Sequence, residues 1–449
     1  MSSTKITDAP RSGQRFEPYP AYTDSGIEWL GEIPAHWEVK QLRYTTAKIG
    51  SGKTPSGGGE VYVSEGVMLL RSQNVHFAGL RLDDVAFIDA VTDAEMAGSR
   101  VKEGDVLLNI TGASLGRCCV ARLNRAPANV NQHVCVIRPR RSTLKSSFLA
   151  AVVSSQSVQT QIFNTENGIS RDALNFQQIG QLRVTCPTLG EQDAIADFLD
   201  RETARIDALV AKKEQLITLL QERRTALISR AVTKGLDPNA PMRDPGVEWL
   251  GEIPAHWGVT KLRYGCSLLR DGTHQPPERV AEGYPLLSVR NIVDGKLARL
   301  PDDSMISERE FRVLERSFEI RENDILLAIV GATLGKVAVV PPSDPFAVQR
   351  SLAVLRPRQQ LLDFQYLASL FQSHPFQRLL WQSVGYSAQP GIYLNALASF
   401  RVSVPPIREQ AEIVKFVLEV GGIIDELIGR IREAIERLKE LRTALISAG

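Results

Sequence analysis

Short apolar runs bounded by turn residues recur through both halves of the chain. Five of them have the length and the β-branched content of strands: Val67–Leu70, Val106–Ile110, Val134–Ile137, Ile325–Ile329 and Leu352–Leu355. Glycine and proline separate these runs from their neighbours. The pattern therefore predicts two β-rich regions.

Two longer segments have apolar residues at helical spacing. The segment 191–230 contains neither glycine nor proline, and a helix of that length would extend about 60 Å. Its apolar positions are Ile195, Phe198, Leu199, Ile206, Leu209, Val210, Leu216, Ile217, Leu220 and Leu227. The positions 218 residues later are also apolar, namely Ile413, Phe416, Val417, Ile424, Leu427, Ile428, Ala434, Ile435, Leu438 and Leu445.

An apolar stripe of this length needs cover, and each predicted helix carries a stripe that matches the other. We therefore expect the two helices to pair as a coiled coil; the alternative is two separate helices, each packed on its own domain. Thr188 and Glu191 have the spacing of a capping box at the first helix start, and Pro405-Pro406 suit the first turn of the second. Gly421-Gly422 and Gly429 predict a less regular second helix, with a kink as an alternative.

The whole pattern is written twice. Gly26–Trp37 (GIEWLGEIPAHW) and Gly246–Trp257 (GVEWLGEIPAHW) are identical at eleven of twelve positions, 220 residues apart. Asp105–Arg117 matches Asp324–Lys336 at an offset of 219, and Arg224–Ser229 recurs 218 residues later. The period is too long for a solenoid and indicates a tandem duplication. Strands followed by a long helix in each copy predict α+β heads on a helical stalk.

The duplication divides the chain into six predicted segments. In order, these are a flexible leader (1–20), a first head (21–187), a first long helix (188–234), a linker (235–245), a second head (246–404) and a second long helix (405–449).

Composition and charge exclude few classes of protein. The 449 residues allow two or three domains, and a net charge of +2 neither favours nor excludes nucleic acid. No apolar run is long enough to span a membrane, and the N-terminus lacks the apolar core of a secretory signal. Five cysteines without paired CxxC spacing predict buried, reduced thiols in a cytoplasmic protein.

Four elements, in the same order in both copies, carry a resemblance to a known family. They are WLGEIPxHW, a GDxLL…G…GK/R segment, a strand ending in Arg-Pro, and P-x-x-EQ at a long helix start, and the resemblance covers the chain from Gly26 to Ser447. Together they resemble the specificity subunits of type I restriction-modification enzymes. Asn323 replaces the glycine of GDxLL in the second copy, and the first helix start has one extra residue (PTLGEQ).

The resemblance implies an α+β fold in which two target recognition domains, 21–187 and 246–404, are joined by two long antiparallel coiled-coil helices in a pseudo-two-fold tandem repeat. Each domain would read one half of a split, asymmetric site in double-stranded DNA. Two modification subunits that methylate adenine would dock on the helices, and restriction subunits would add ATP-driven translocation and cleavage. The chain itself would be non-catalytic and without a cofactor, because S-adenosylmethionine, ATP and magnesium would be bound by the partner subunits.

Polar loop residues that differ between the copies are the expected DNA contacts, since Arg pairs with guanine edges and Gln or Asn with adenine edges. In the first head they are Lys53, Thr54, Ser56, Arg71, Gln73, Asn74, Asn167, Ser170 and Arg171. In the second head they are His274, Gln275, Arg290, Asn291, Tyr386 and Gln389. The alternative for each is a solvated loop residue without a base contact.

Residues shared by the two copies are predicted to be structural. The tryptophans of WLGEIPAHW would staple the start of each head, with His36 and His256 as packing residues. Arg138 and Arg356 could bind phosphate or could close the end of a strand.

Several catalytic motifs fail in this chain. Gly331–Val337 (GATLGKV) has three residues between its glycines where a phosphate-binding P-loop has four, and it lacks the following Ser or Thr. A tight turn between strands explains it. Asp344-Pro345-Phe346 lacks the second proline of an adenine methyltransferase motif, and no HExxH or paired CxxC metal site is present.

Three other functions compete with this interpretation. The chain could serve a methylation-only system or another restriction class, which co-purification with a nuclease-helicase subunit would decide. It could be a coiled-coil scaffold that binds only proteins, which predicts no salt-sensitive affinity for DNA. It could be a P-loop enzyme, which nucleotide binding would reveal.

Overall fold

The computed structural model describes residues 18–27, 30–55, 61–164, 173–275, 277–384 and 390–448. It divides into two compact units, the first made of Met1–Ala211 with Ala434–Gly449 and the second of Lys212–Glu433. Each unit therefore contains a mixed α/β head together with part of both long helices. The predicted α+β fold with two repeated heads is confirmed.

The first head ends in the first long helix, α6, whose C-terminal part belongs to the second unit. The elements are β1 (Tyr22–Asp24), β2 (Glu32–Pro34), β3 (Glu38–Gln41), α1 (Leu42–Thr45), β4 (Thr46–Ser51), β5 (Val67–Leu70), β6 (Val75–His76), β7 (Gly79–Leu80), β8 (Ala86–Ile88), α2 (Ala90–Glu95), β9 (Val106–Asn109), β10 (Cys118–Val120), β11 (Ala128–Val130), β12 (Val134–Pro139), α3 (Ser146–Ser154), α4 (Gln156–Asn164), α5 (Phe176–Gln181), β13 (Arg183–Cys186) and α6 (Leu189–Lys234).

The second head ends in the second long helix, α12, whose C-terminal part belongs to the first unit. The elements are β14 (Met242–Arg243), β15 (Ile253–Pro254), β16 (Gly258–Lys261), α7 (Leu262–Gly265), β17 (Cys266–Asp271), β18 (Arg279–Val280), β19 (Tyr284–Leu287), β20 (Ile292–Val293), β21 (Lys296–Leu297), β22 (Met305–Ile306), α8 (Glu308–Ser317), β23 (Ile325–Ala328), β24 (Val337–Val339), β25 (Ala347–Val348), β26 (Leu352–Pro357), α9 (Phe364–Gln372), α10 (His374–Gln382), α11 (Leu394–Ser399), β27 (Arg401–Val404) and α12 (Ile407–Ala448).

The central sheet of the first head is apolar on both faces. Its order is β10-β9-β12-β4, with every pair antiparallel. Val106 and Leu108 on β9 pack with Phe148 and Leu149 of α3, whereas Leu107 between them packs toward β5 and β11. A strand buried on both faces reads as a continuous apolar run, which is why the sequence pattern locates β5, β9 and β12 so well.

The second head repeats this arrangement with a larger sheet, of order β17-β26-β23-β24-β21-β20. Ile325 and Leu327 on β23 belong to the core against α9 and α10, while Leu326 and Ala328 face the opposite core. The strands predicted in this copy, now β23 and β26, are confirmed.

Within each unit the two long helices run antiparallel, as expected. In the first unit, Arg442 pairs with Asp207 at 2.9 Å. Ile446, further along α12, lines the same cavity as Leu199, which is nearer the start of α6. In the second unit, Arg224 pairs with Asp425 at 3.0 Å. Helix α12 passes through its three glycines as one continuous element.

The helices cover their apolar stripes only in part. Ile206, Ile424 and Ile428 are buried, but Leu209 and Leu216 remain 41% and 44% exposed. The expected pairing of the two long helices is confirmed, and it leaves part of each apolar stripe at the surface, as at Leu209 on α6 and Leu427 on α12.

The Glu-Gln pair at the start of each long helix has a structural role, and its glutamate contacts the repeated WLGEIPAHW motif. The carboxylate of Glu191 accepts hydrogen bonds from His36 at 2.7 Å and from the Thr188 hydroxyl at 2.6 Å, and Glu409 contacts His256 at the same 2.7 Å. The predicted capping box is confirmed. The histidine of WLGEIPAHW thus ties the start of its head to the start of its helix.

Gln192, the neighbouring residue, is completely buried and binds backbone only. Its nitrogen donates to the carbonyls of Thr143 and Pro187 at 3.0 and 2.9 Å, and its oxygen accepts from the Lys145 N–H at 2.8 Å. Gln410 makes the corresponding three bonds in the second unit. Each glutamine therefore fixes its helix to the loop that follows the last strand of the central sheet.

All five cysteines are buried and free, as predicted. Burial raises the pKa of the Cys119 thiol to about 11 and that of Cys135 to about 12, so these thiols stay protonated at neutral pH. Across the described part of the chain, no helix has the length and apolar character that crossing a membrane requires.

Candidate nucleic-acid interface

Four strands of the first head end at one edge. Strand β9 ends beside the start of β12, where Asn109 lies opposite Val134. Strand β4 ends at the same place, where Ser51 lies opposite Cys135. Strands β11 and β5 are parallel and finish together. We call the residues that follow these four ends the strand-end edge of the first head: 51–54, 71–74, 109–111 and 131–133.

Hydrogen bonds hold these four segments against one another. The Asn131 N–H donates to the Leu70 carbonyl at 3.2 Å, and the Gly52 N–H donates to the Asn131 carbonyl at 3.1 Å. The buried Asn109 amide donates to the Ser72 carbonyl at 2.8 Å. The edge is therefore a fixed platform built on the sheet.

The second head has an equivalent strand-end edge made of 271–274, 288–291, 328–330 and 349–351. The Gln349 N–H donates to the Leu287 carbonyl at 2.9 Å, and the Thr273 N–H donates to the Val348 carbonyl at 3.0 Å. The two edges thus share one backbone framework.

A glycine at the same place in each edge makes this framework possible. A Cβ atom on Gly52 would lie 1.6 Å from the Val130 carbonyl oxygen, and one on Gly272 would lie 2.1 Å from that of Val348. Both distances are far inside van der Waals contact, so only glycine allows the two backbones to approach so closely.

Asn74 and Asn291 are the residues on which the sequence prediction needs correction. They are only 2% and 1% exposed. The Asn74 oxygen accepts from the Arg71 N–H at 2.9 Å and its nitrogen donates to the Arg81 carbonyl at 2.9 Å. Asn291 makes the equivalent contacts at 2.9 and 3.0 Å. Their burial contradicts the expectation that these amides reach a base, since both close the turn from inside.

Gln73 and Arg290 occupy the same position beside these asparagines and are exposed. Gln73 donates to the Asp84 carboxylate at 2.5 Å. Arg290 pairs with Asp302 at 2.7 Å and with Asp303 at 3.2 Å. Acidic neighbours therefore orient both side chains at the strand-end edge.

Arg71 lies two residues before Gln73 in the first head and is less exposed to solvent than Gln73. Its guanidinium donates to the Asp84 carbonyl at 2.8 Å and lies over the Tyr62 ring, while its Nε is buried without a partner among the described residues. Arg71 thus supports the turn as well as contributing charge.

The loop that follows β4 brings Lys53 and Thr54 to the first edge, and its counterpart brings His274 and Gln275 to the second. Lys53 is exposed, and no described residue pairs with its ammonium group. The Thr54 hydroxyl donates to the Gln132 side chain at 2.5 Å. His274 contacts the Asp271 carboxylate at 2.8 Å, and Gln275 is exposed beside it.

Six of the predicted DNA-contacting residues lie outside the described part of the chain, so the structure places none of them. They are Ser56, Asn167, Ser170 and Arg171 in the first copy, and Tyr386 and Gln389 in the second. Ala173, the first described residue after one of these gaps, pairs with Thr111 of the first edge.

A turn that the sequence pattern did not single out lies at the centre of each strand-end edge. Its residues are Asn131-Gln132-His133 in the first head and Gln349-Arg350-Ser351 in the second. Gln132 and Arg350 are exposed. The signal was present: at an offset of 218 the turn differs at all three positions, although the strand that follows it matches.

Arg138 and Arg356 each bind an aspartate on the neighbouring strand segment and close the end of a strand. Arg138 makes two bonds of 2.7 Å to the Asp105 carboxylate, and Arg356 binds Asp324 at 2.7 and 2.8 Å. The hydrogen bonds that Arg138 donates to the Asp105 carboxylate raise the pKa of its guanidinium further above its usual value. Of the two alternatives for these arginines, the structure favours the structural one.

The glycine-rich segment at 331–337 is a turn between the antiparallel strands β23 and β24, as predicted. Gln377 of α10 donates to the Gly335 carbonyl at 2.8 Å, and it fills the space where a side chain on that glycine would lie. Within the described residues, no group of His, Cys, Asp and Glu could hold a metal ion.

Comparison with known proteins agrees with this geometry. The family model described as "Type I restriction modification DNA specificity domain" matches residues 98–219 and 279–437. The EcoBI specificity subunit of Escherichia coli is 26% identical over 72% of this chain and 68% of its own length. The EcoKI specificity subunit of Escherichia coli strain K12 is 22% identical over 93% of this chain and 89% of its own.

Solved structures share the fold. A chain from "Structural basis underlying complex assembly and conformational transition of the type I R-M system" superimposes with a TM-score of 0.64 at 18% identity, covering 92% of this chain and 97% of its own. The HsdS subunit from Thermoanaerobacter tengcongensis gives 0.53 at 16% identity, covering 92% and 96%. Since the family model matches both copies and more than half of the sequence, this chain belongs to the type I restriction-modification DNA specificity family.

Proposed function

We propose that this chain is a non-catalytic specificity subunit that recognises a bipartite, asymmetric site in double-stranded DNA, one half-site per head. The observation that carries the proposal is the pair of strand-end edges, which share one framework and differ in their exposed polar side chains. Gln73 stands where Arg290 stands, and Thr54 where His274 stands. Because base edges are distinguished by donor and acceptor patterns, two such surfaces select different half-sites.

The long helices supply the surface for the partner subunits. In the second unit, Leu216 and Leu219 on α6 and Leu418, Ile423 and Leu427 on α12 are between 43% and 61% exposed. Exposed apolar groups of this kind mark protein interaction sites. We assign them to two modification subunits, which would bind S-adenosylmethionine and methylate adenine. Restriction subunits that use ATP and magnesium would complete the assembly, which acts on DNA in the cytoplasm.

Methylation mapping tests this function directly. The full chain and its modification partner are expressed in a host without other adenine methylation, and modified adenines are located by long-read sequencing. We expect a split motif with two unequal half-sites and a constant unread gap. A continuous motif, or no sequence preference, would contradict the proposal.

A protein-only scaffold is the alternative function, and membership of the specificity family does not favour it. Salt dependence of DNA binding separates the two functions, because neutralised phosphates release counterions and affinity then falls steeply with salt. A DNA reader is expected to show this fall with the purified chain and its modification partner. A scaffold would show no DNA affinity at low salt. Co-purification with a nuclease-helicase subunit would distinguish a restriction system from a methylation-only one.

A further inference from the structure

We propose that Gln132 and Arg350, the middle residues of the two equivalent turns, each select one base pair: Gln132 an adenine in one half-site and Arg350 a guanine in the other. The inference rests on the proposed function and assigns two residues that were not among the expected DNA contacts.

The turn is fixed by its own backbone at both ends. In the second head, the Arg350 N–H donates to the Thr273 carbonyl at 3.2 Å, and the Leu352 N–H closes the turn onto the Gln349 carbonyl at 3.0 Å. In the first head, the corresponding closure runs from the Val134 N–H to the Asn131 carbonyl at 3.4 Å. The middle side chain is therefore presented outward from a rigid site, which suits base recognition.

The flanking residues are less accessible than the middle one. Asn131 and His133 are half-buried, and so are Gln349 and Ser351. Each turn thus offers one exposed side chain at the centre of its strand-end edge.

Arg350 has its hydrogen-bonding capacity available. No described residue forms a hydrogen bond or an ion pair with its guanidinium, which keeps five N–H donors. Arg290, in contrast, is already bound to Asp302 and Asp303. Two parallel N–H groups of a free guanidinium match the O6 and N7 acceptors of guanine.

Gln132 is held in one orientation by neighbours on both sides. Its oxygen accepts from the Thr54 hydroxyl at 2.5 Å, and its nitrogen lies 3.0 Å from His133 Nε2. The other ring nitrogen of His133 lies 2.6 Å from the Thr111 hydroxyl. An amide carries two donors and two acceptor sites, so one of each remains. That pair matches the N7 acceptor and the N6 donor of adenine.

The equivalent residues in the second head do not form such a chain. His274 stands in place of Thr54 and contacts Asp271, and Val330 stands in place of Thr111. The contacts that orient Gln132 in the first head are thus not repeated around Arg350 in the second head. An arginine without it remains a suitable guanine reader because its planar fork is rigid by itself.

The test maps methylation with the full chain and its modification partner, comparing the wild type with Arg350→Gln and Gln132→Arg. We expect Arg350→Gln to shift the relative methylation of guanine-containing and adenine-containing sites about tenfold or more at one base pair of one half-site. Gln132→Arg should change one base pair of the other half-site toward guanine. Arg358→Gln, at the far end of β26, and Gln181→Arg, on α5, are matched controls that should keep the wild-type motif.

Arg350→Lys distinguishes base reading from phosphate binding, because lysine keeps the charge but lacks the fork. Loss of the guanine preference in Arg350→Lys supports the proposal, whereas wild-type behaviour overturns it. An unchanged motif in Arg350→Gln also overturns it. If Arg350→Gln abolishes methylation, the binding of the purified complex is measured on DNA duplexes that differ at single bases. A loss of affinity confined to one base-pair position supports the proposal. An equal loss of affinity for every duplex overturns it. A wild type without a split motif would instead refute the proposed function.

Discussion

Glu191 and Gln192 stand next to each other at the start of α6 and have different roles. Glu191 binds the His-Trp pair of the repeated motif, with Trp37 Nε1 at 3.4 Å, and Gln192 binds backbone. Most of the residues that both copies share have structural roles like these. Residues that differ, such as Gln132 and Arg350, lie exposed on the strand-end edges.

The charge of Glu191 is expected to stabilise the first unit in a pH-dependent way. Burial by itself would raise the pKa of this carboxyl, but hydrogen bonds from Thr188, His36 and Trp37 outweigh it and lower the pKa from 4.5 to about 2. The stabilisation is therefore fully present above pH 4.5 and is lost as the pH falls toward 2. Glu191→Gln should lower the free energy of unfolding by about 2 kcal/mol at pH 7 and by less at pH 3.

Urea unfolding followed by circular dichroism at the two pH values measures this difference. Glu214→Gln, an exposed position on the same helix, is the control and should change little at either pH. An equal loss of stability at pH 7 and pH 3 for Glu191→Gln would show that the charge is not responsible.

Gln192 and Gln410 make equivalent contacts in the two units, so the same stability prediction applies to each of them. Replacement of either by alanine leaves three backbone groups without partners, of which each costs about 1 kcal/mol or more when buried. We expect Gln192→Ala and Gln410→Ala each to lower the unfolding free energy by about 2 to 4 kcal/mol. Thermal unfolding measures the loss, with exposed Gln221→Ala as the control. A change below 1 kcal/mol would contradict the role assigned to these residues.

At the scale of elements, a strand can be located from the sequence where both of its faces are buried. The predicted strands coincide with β5, β9, β12, β23 and β26 because these strands are buried on both faces and lack polar interruptions. Strands such as β3 and β16 are only partly buried and have mixed sequences. No run of apolar residues marked them, since only their pairing with β13 and β27 makes them strands.

The long helices carry a prediction about the spacing of the half-sites. Four residues added to both helices, between residues 211 and 212 and between 433 and 434, leave the Asp207–Arg442 and Arg224–Asp425 pairs within their own units. The insertion adds about 6 Å of helix, close to two base-pair steps of about 3.4 Å. We expect a longer unread gap and unchanged half-sites in methylation mapping.

The control for this prediction is an insertion in α6 alone, which shifts the two helices relative to each other and should reduce methylation without a new defined gap. An unchanged gap in the double insertion would contradict the role of the helices as a spacer.

At the scale of the whole molecule, the duplication predicts that the heads are interchangeable readers. Replacement of 246–404 by a second copy of 21–187 should give a palindromic split motif made of one half-site repeated. The physical reason is that identical strand-end edges present identical side chains to DNA. Methylation mapping measures the result, and the reciprocal chain with two copies of 246–404 should give the other half-site. Retention of the original asymmetric motif would show that recognition lies outside the heads.

The sequence by itself determined the duplication, the α+β class, both long helices and the family resemblance. These features are local or repetitive: helical periodicity, double-sided burial of strands and an offset between copies can all be read along the chain. The loops at 51–54 and 71–74 were located in the same way, because polar residues follow apolar runs there.

The tertiary structure decided which polar residues of those loops are available. Asn74 and Arg290 look alike in sequence as candidate readers, but one is buried by its own turn and the other is exposed beside two carboxylates. Gln132 and Arg350 follow short strands without a marked pattern, and only the parallel pairing of β11 with β5 and of β25 with β19 brings them to the edges. Burial and hydrogen-bond partners depend on residues distant in the chain, so one-dimensional patterns do not contain them.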